Sequence, residues 1–383
     1  MLSAQFLLKV LSVPWVVLRI VIQYYTTGTW LMSDRAEFGR SLWKNVCISV
    51  MAHVAKGMQR TDPLILEHPM KFYNKYKSSP GASGMPGFGA RVVAGDEKLT
   101  WVVRPEGAKK ALLFLHGGGY CVPMTGTQFV GIMALWYAVN SEKRHNLAIA
   151  NLDYSLTSRG YRYPTQIHEA VEAYRVLSGL GYEEVMVIGD SCGSNLALAL
   201  ARYVSYPEEA RAHFAGYTQF QWNFDPLPPV KHLLLVAPWL HPYIAPEKYP
   251  GINYEGDLGS HTSDMGDNYI EGSSKDDVWP WVDFHRTNYT AHWAKVPAFN
   301  GEGSTLVLYG EREVFRKGQE DFFRRNGLHN FSVHMQPGAI HDSMFYVEPI
   351  DLKSWRGQQD MVLGKHKSKF SFHLAGKFLD GVL

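Results

Sequence analysis

One short segment limits the folds open to this chain more than any other. Residues 184–189 (EVMVIG) are apolar enough for a buried strand, and SNLALALARYV begins a helical pattern at residue 194. Ser191 lies in the turn between them, two residues from Gly189 and from Gly193. A strand that passes into a helix through such a serine is typical of a nucleophile elbow. Since Gly-x-Ser-x-Gly also arises by chance, the interpretation needs a suitable fold and suitable partners.

Short apolar segments of strand length recur eight times between residues 90 and 336. They are ARVVA (90–94), LTWVVRP (99–105), ALLFL (111–115), LAIANLDY (147–154), EVMVIG (184–189), HLLLVAP (232–238), TLVLYG (305–310) and FSVHMQ (331–336). From ALLFL onward, helix-like sequence separates most neighbouring pairs. The alternation predicts an α/β protein with a mostly parallel, eight-stranded, doubly wound sheet. Ligands of such sheets bind beyond the carboxyl ends of the strands.

Composition excludes several classes of function. With 38 basic and 36 acidic residues, the formal net charge is only +2, so we expect no nucleic-acid partner. Three cysteines are too few and too scattered for a disulfide framework or a zinc site. The 16 histidines include no His-Glu-x-x-His motif. We therefore expect neither a metal nor a cofactor.

A glycine run supplies the first partner for Ser191. HGGGY (116–120) directly follows the predicted strand ALLFL. Successive glycines let the backbone approach a ligand and present bare N–H groups, which ester hydrolysis requires where the attacked carbonyl becomes an oxyanion. We expect the oxyanion hole in the run Gly117, Gly118 and Gly119, chiefly at the last two N–H groups, together with that of Cys192. A plain glycine turn is the alternative.

The serine also needs a base, and the base needs an acid to orient it. His341 lies in the loop after the last predicted strand, and Glu311 and Glu313 follow the strand before it. The chain order of serine, acid and histidine is the one typical of this architecture. Position selects His341 among the histidines, whereas Asp342 comes from the wrong loop to orient it.

These motifs resemble the hormone-sensitive-lipase-like family of α/β-hydrolases over roughly residues 90–350. HGGGY, which contains His116, looks like the family's oxyanion motif, and GDSCGSN, which contains Asp190, is similar to its GDSAGGN elbow. We expect those two residues to support the motifs and give Asp190 no chemical role. GEREVFRKG occupies the place of the acid loop, usually written with Asp-Pro-Leu. Residue-by-residue matching puts the acid at Glu313, with Glu311 a minor contender.

The apolar start and the Glu-Val-Phe-Arg acid loop narrow the resemblance to the fungal steryl acetyl hydrolases, a branch anchored in the endoplasmic reticulum. The resemblance implies a membrane-associated protein whose catalytic domain faces the lumen. Asn-x-Ser/Thr sequons at Asn288 and Asn330 permit a lumenal location, although sequons also occur by chance.

The sequence is predicted to divide into three regions. Residues 1–30 are predicted to be a hydrophobic anchor helix, because the twenty residues from 6 to 25 would reach about 30 Å, the thickness of a bilayer's hydrocarbon core. That helix would span the membrane or lie in its interface, and a soluble helix packed on the domain is the alternative. Residues 31–85 are predicted to be a helical cap or linker segment. The Gly/Pro/Ser-rich stretch SSPGASGMPGFGA (78–90), at its end, is predicted to be a linker or a mobile loop. Residues 86–383 form the hydrolase domain, with a cap insertion at about 241–303; a disordered insertion is the alternative.

The residues and the resemblance together predict a serine carboxylesterase with Ser191, Glu313 and His341 as its triad and no cofactor. Its expected partners are the membrane and a small hydrophobic ester, with an acetyl group on a bulky alcohol such as a sterol. Two alternatives stay open: a hydrolase of secondary metabolism acting on a biosynthetic intermediate, and a non-hydrolytic small-molecule binder. The pattern does not indicate an oligomeric state.

Overall fold

The computed structural model describes residues 2–32, 40–261, 263–286, 289–325 and 330–383. A seven-stranded sheet runs in the order β1-β3-β2-β4-β5-β6-β7. The strands are β1 (Leu99–Val103), β2 (Lys110–Leu115), β3 (Leu147–Leu152), β4 (Glu184–Asp190), β5 (His232–Val236), β6 (Ser304–Gly310) and β7 (Phe331–Gln336). Only β1 pairs antiparallel, with β3, and every other pair is parallel. The prediction of a mostly parallel α/β sheet is confirmed.

The α-helices cover both faces of the sheet and build its edges. They are α1 (Ala4–Tyr25), α2 (Leu42–Ala55), α3 (Met70–Tyr76), α4 (Pro80–Ser83), α5 (Gly126–Ala138), α6 (Thr165–Gly179), α7 (Cys192–Ser205), α8 (Pro207–Phe214), α9 (Ser263–Tyr269), α10 (Lys275–Val282), α11 (Tyr289–Trp293), α12 (Pro297–Asn300), α13 (Arg316–Arg325), α14 (Ser343–Tyr346), α15 (Trp355–Val362) and α16 (Phe370–Val382). Alternate residues of β2 enter separate cores: Leu113 packs with α6 and α7, and Phe114 with α5 and α16. This two-sided burial explains why the central strands are apolar throughout.

The first of the eight predicted strands is wrong. In place of a strand at 90–94, the chain makes a single bridge between Arg91 and Thr100. Gly89 and Gly95 flank this segment with φ of +78° and +85°, a conformation that turns the backbone out of an extended path. The sheet of the described residues therefore has seven strands.

The predicted Gly/Pro/Ser linker at 78–90 is also wrong, because this segment is packed against the domain. The Tyr137 hydroxyl donates to the Gly81 carbonyl at 2.7 Å, and the Ser79 hydroxyl donates to Gln358 at 3.1 Å. Gly81 lies against other side chains, since a Cβ there would displace the ends of the Gln358 and Met361 side chains. Small residues at this position allow close packing rather than motion.

Helices α1 and α2 form an antiparallel hairpin, here called the N-terminal hairpin (residues 4–25 and 42–55). The hydroxyl of Ser12 and Nε2 of His53 are 2.7 Å apart across the pair. Helix α1 has 22 residues with a mean hydropathy of 1.8, and among the described residues it alone is long and apolar enough to cross a membrane. Only 17% of that apolar stretch is buried in the protein.

The described part of the segment 241–303 is packed, and it is largely helical from residue 258 onward. It contributes α9 to α12, and it buries Tyr269, Trp281 and Trp293 almost completely. Aromatic burial of this kind contradicts a disordered insertion and holds the segment over the carboxyl ends of the strands.

Candidate active site

Ser191 occupies a strained turn between β4 and α7. Its backbone has φ +51° and ψ −117°, which a non-glycine residue rarely adopts. A Cβ on Gly189 would overlap the carbonyl of Gly193, and one on Gly193 would overlap the carbonyl of Leu115. The two glycines of the motif are therefore required by close backbone contact. The N–H of Ser191 donates to the Val236 carbonyl at 2.8 Å, which ties the turn to the neighbouring strand.

The structure brings the predicted base and acid to this serine. His341 Nε2 lies 2.9 Å from Ser191 Oγ, and His341 Nδ1 lies 3.0 Å from Glu313 Oε2. The three residues follow β4, β6 and β7, whose carboxyl ends share one edge of the sheet. Glu311 points elsewhere, because its carboxylate accepts the N–H of Gly338 at 2.7 Å.

Opposing effects set the pKa of His341. Burial lowers this pKa, but the hydrogen bond that His341 donates to Glu313 and the charges of Glu313, Asp257 and Asp190 outweigh it, so the pKa lies above its usual value. The protonated imidazole is therefore stabilised where it stands. This is the state that forms when a histidine takes a proton from a serine.

The glycine run divides into two parts. Gly118 and Gly119, with φ of +120° and +60°, line the same cavity as Ser191 and His341. Gly117 does not line that cavity, and a Cβ there would overlap the carboxylate of Asp190. Cys192 lies beneath the run, where its Sγ accepts the N–H of Tyr120 at 3.1 Å.

His116 and Asn195 support the loops without facing the cavity. Burial lowers the pKa of His116 to about 4, so its ring is neutral, and it stacks on Tyr154 with ring centroids 4.3 Å apart. Asn195 accepts from the Tyr120 hydroxyl at 2.9 Å and donates to the carbonyls of Trp239 and Val282. These bonds connect the glycine loop, the elbow helix and the 241–303 segment.

Asp190 and Asp342 form a buried carboxyl pair beside the site. Burial raises the pKa of both, and the charge of Asp190 raises that of Asp342 further. The carboxylate of Asp190 accepts from Gln128 Nε2 at 2.7 Å. Although Asp342 directly follows the base in the chain, its carboxyl faces Asp190 and not the imidazole of His341.

Asp257 is a site residue that sequence reasoning missed. It comes from the 241–303 segment and is 1% exposed. Its carboxylate accepts the backbone N–H of His341 at 2.7 Å and that of Val314, next to the acid, at 3.2 Å. Burial raises the pKa of Asp257 to about 6. Nothing in the local sequence distinguished it from other loop aspartates, because its two partners are distant in the chain.

The cavity above Ser191 has a volume of about 410 Å³, within the range of small-molecule sites. One wall is apolar and comes from α2 and the segment after it, with Val50, Met51, Val54, Ala55, Met58 and Leu66. Leu258 and Met265 of the 241–303 segment line another side. No group of three His, Cys, Asp or Glu side chains suited to a metal occurs in the described ranges.

Comparison of the chain with known proteins identifies its family. Residues 96–353 match the steryl acetyl hydrolase family model. A Schizosaccharomyces pombe protein provisionally named a steryl acetyl hydrolase is 25% identical, over 99% of this chain and 98% of its own length. Steryl acetyl hydrolase 1 of Saccharomyces cerevisiae is 32% identical over 115 residues, which are 28% of this chain and 26% of that protein.

Solved structures agree on the fold. The esterase LipW from Mycobacterium marinum superposes with a TM-score of 0.56 at 19% identity, over 87% of this chain and 95% of that chain. An esterase from the bacterial hormone-sensitive lipase family gives 0.55 at 16% identity, over 88% and 99%. These similarities show an α/β-hydrolase fold. With the family match over residues 96–353, they establish that the chain belongs to the steryl acetyl hydrolase family of carboxylic ester hydrolases.

Proposed function

We propose that the protein is a serine deacetylase in which Ser191, His341 and Glu313 form the catalytic triad. The observation that carries the proposal is the chain of two hydrogen bonds, 2.9 and 3.0 Å long, that joins the three side chains at the floor of the cavity. His341 takes the proton of Ser191 as Oγ attacks the ester carbonyl. Glu313 accepts from Nδ1 and stabilises the imidazolium that forms.

The remaining steps use the same groups. The N–H groups of Gly118, Gly119 and Cys192 are proposed to hold the oxyanion of the tetrahedral intermediate. His341 then returns its proton to the departing alcohol and leaves an acyl group on Ser191. A water molecule, deprotonated by His341, attacks this acyl-enzyme, and the carboxylic acid leaves with regeneration of the serine.

The proposed substrate is a short-chain, acetyl ester of a bulky apolar alcohol, a sterol being the best candidate. The six apolar side chains from residues 50 to 66 support an apolar alcohol, because burial of its surface against them is favourable. Met265 supports a small acyl group, since its side chain fills the space beside Gly119. The family to which the chain belongs supports the sterol.

An acyl-chain series with purified protein tests this function. We expect the p-nitrophenyl acetate to be cleaved faster than the butyrate or octanoate, and all activity to disappear in Ser191→Ala. A panel of acetylated alcohols, from ethanol to a sterol, then tests the alcohol. Activity that survives Ser191→Ala would overturn the triad, whereas binding of the esters without any turnover would favour the non-hydrolytic binder. A strong preference for a non-sterol acetate would favour the secondary-metabolism alternative.

We further propose that residues 1–30 associate with the membrane of the endoplasmic reticulum, with the catalytic domain, residues 86–383, in its lumen and residues 241–303 as its cap. The apolar helix α1 supports membrane association. Of the two sequons, Asn288 lies outside the described residues. Asn330 is half-buried, and its side-chain amide donates to the Gly303 carbonyl at 3.0 Å. Protease protection in sealed microsomes tests the lumenal location: digestion of the domain without detergent would overturn it.

A further inference from the structure

A short segment after α1 is largely buried although it belongs to no helix or strand. It consists of residues 29–31 and is here called the connector. Thr29 and Leu31 are buried, and the Thr29 hydroxyl donates to the side chain of Asn45 on α2. Loops normally run over the surface, so a buried loop needs partners for its backbone and side chains. The connector finds these partners in the loops that carry the proposed triad.

Arg312 joins the connector to the acid loop, in which it directly precedes Glu313. The side chain is buried, with 3% of the residue exposed. Its Nη1 donates to the Trp30 carbonyl at 2.8 Å, and its Nε donates to the Asn253 carbonyl at 2.7 Å. The guanidinium also lies over the Trp30 ring, with Cζ 5.2 Å from the ring centroid. Because hydrogen bonds from a charged donor are strong, Arg312 fastens the acid loop to two separate segments of the chain.

The acid loop and the connector both contact the histidine loop. The backbone N–H of Arg312 donates to the Ala339 carbonyl at 2.8 Å. Leu31 packs in one apolar cluster with Ala339 and Ile340. These two residues directly precede His341 in the chain. Leu31 therefore helps to determine where the histidine loop lies relative to the acid loop.

Trp30 also contacts the loop that carries Asp257. Its indole lies against Gly256, where a Cβ would come within 2.1 Å of the ring. Gly256 has a φ of +77°, so both its backbone and the space around it favour glycine. Asp257 in turn accepts the backbone N–H of His341. The connector and Arg312 therefore meet all three loops that position groups of the proposed triad.

We propose that Arg312 is a positioning residue for the triad, which fixes the acid loop against the connector so that Glu313 meets His341. It does not act on the ester itself, since it is not among the residues that line the cavity above Ser191. The 3.0 Å contact between Glu313 and His341 joins two loops, and a misplacement of about 1 Å there can lower the rate by about 100-fold. The proposal rests on the proposed function, because it concerns the geometry of that triad.

Arg144 is the matched control, because it makes the same kinds of contact far from Ser191. Its Nη2 donates to the carbonyls of Tyr137 and Val139 at 3.0 and 3.1 Å. Its guanidinium lies 4.9 Å from the centre of the Trp136 ring. Arg144 lies just before β3, at the amino ends of the parallel strands, whereas Ser191 follows the carboxyl end of β4. Loss of this guanidinium should lower stability without altering catalysis.

Arg312→Met, measured in the full-length protein with p-nitrophenyl acetate, tests the proposal. We expect kcat to fall by about 10- to 100-fold with little change in KM, because Arg312 does not line the cavity. The acid limb of the pH–kcat profile should move to lower pH, since Glu313 raises the pKa of His341 only while it is held against the ring. Arg144→Met should lower Tm by a similar amount and leave kcat and the acid limb unchanged. Arg312→Lys should recover part of kcat, because an ammonium replaces only some of the hydrogen bonds of a guanidinium.

Trp30→Leu gives a second test that leaves the buried charge in place. It keeps the carbonyl that accepts from Arg312 but removes the ring that lies over the guanidinium and against Gly256. We expect kcat to fall by about two- to fivefold, with the acid limb shifted in the same direction. In the double variant with Arg312→Met, the loss should be smaller than the product of the single losses, because both changes act through one loop. If Arg312→Met does not fold, an unchanged kcat and acid limb in Trp30→Leu would overturn the proposal.

Ser191→Ala, assayed beside these variants, separates this proposal from the proposed function. If Ser191→Ala retains activity, the triad is wrong and the positioning role falls with it. If Ser191→Ala is inactive, the triad stands, and three results would each overturn the positioning role alone. The first is an Arg312→Met enzyme that loses Tm as Arg144→Met does but keeps its kcat and acid limb. The second is a change in KM alone, and the third is a double variant whose losses multiply.

Discussion

The two sides of the active-site cavity are built by different kinds of structure. The catalytic side consists of short loops at the edge of the sheet, held by buried polar contacts such as those of Glu313 and Asp257. The other side is the N-terminal hairpin, an apolar surface with few hydrogen bonds to the rest of the protein. In the function proposed above, the first side would determine which bond is broken, and the second would determine which molecules approach. Changes on the catalytic side should therefore affect all esters alike, whereas changes in the hairpin should alter the preference among esters.

The largest expected effect is that of His341→Ala. Without the base, kcat should fall by roughly 10⁵-fold for every ester, because serine is a poor nucleophile unless its proton is removed. His334→Ala is the matched control, since His334 lies within β7. Measured kcat values for acetate esters of small and bulky alcohols check the claim. A loss confined to bulky esters would contradict the division between the two sides.

Glu313→Gln should lower kcat by about 10³- to 10⁴-fold, again for all esters. The acid limb of the pH–kcat profile should also move in this variant. His341 must be neutral to act as a base, and Glu313 holds the pKa of His341 above its usual value, so removal of that charge should shift the limb to lower pH. Glu311→Gln is the comparison, because an amide oxygen can still accept the N–H of Gly338. If Glu311→Gln has the larger effect, the acid has been misassigned.

Asp257→Asn should lower kcat/KM by about 10- to 100-fold, since an amide oxygen replaces only part of the carboxylate that positions the backbone of His341 and Val314. The acid limb should move to lower pH, because the charge of Asp257 also raises the pKa of His341. Glu255→Gln, at an exposed position two residues earlier, should change neither quantity.

Thermal unfolding distinguishes positioning by Asp257 from a structural role. The folded pKa of Asp257, about 6, lies above its usual value near 3.8. The unfolded chain therefore loses this proton first, and ionisation of Asp257 lowers stability as the pH rises through about 6. Asp257→Asn removes this unfavourable ionisation, so the Tm of the variant at neutral pH should not fall together with its activity. A parallel fall in both would assign Asp257 to stability alone.

The smallest expected effect is in the hairpin. Val54→Trp adds an indole to the wall formed by α2 and should lower kcat/KM for acetylated sterols by about tenfold, with a smaller change for ethyl or p-nitrophenyl acetate. The ratio of the two kcat/KM values is the measurement. An equal loss for all esters would show that α2 supports the catalytic loops rather than selecting substrates.

The catalytic side could be predicted from the sequence because its chemistry requires particular residues in particular places. Gly189 and Gly193 are needed by backbone contact, and the strands before His341 and Glu313 were apolar enough to recognise. The choice of Glu313 over Glu311 came from family resemblance, and the geometry brings Glu313 to the base. That part of the site depends on local pattern and chain order, which a sequence displays directly.

Other features depended on contacts that no local pattern contains. Asp257 acts through backbone groups far along the chain, and the partner of Asp342 is 152 residues away in Asp190. The glycines, prolines and serines at 78–90 suggested a mobile loop. The prediction was wrong because glycine and proline also occur where segments pack closely. Val50, Met51 and Val54 of α2 are of the types found in ordinary cores, and only the fold placed them in the wall of the cavity above Ser191.

The hairpin has a practical consequence for how this enzyme is prepared. Removing the apolar first helix is a common way to make such a protein soluble, and the catalytic residues would survive it. Yet α1 packs against α2, and α2 is a wall of the cavity above Ser191. A shortened enzyme could therefore hydrolyse small test esters at full speed while reporting a selectivity that the intact protein does not have.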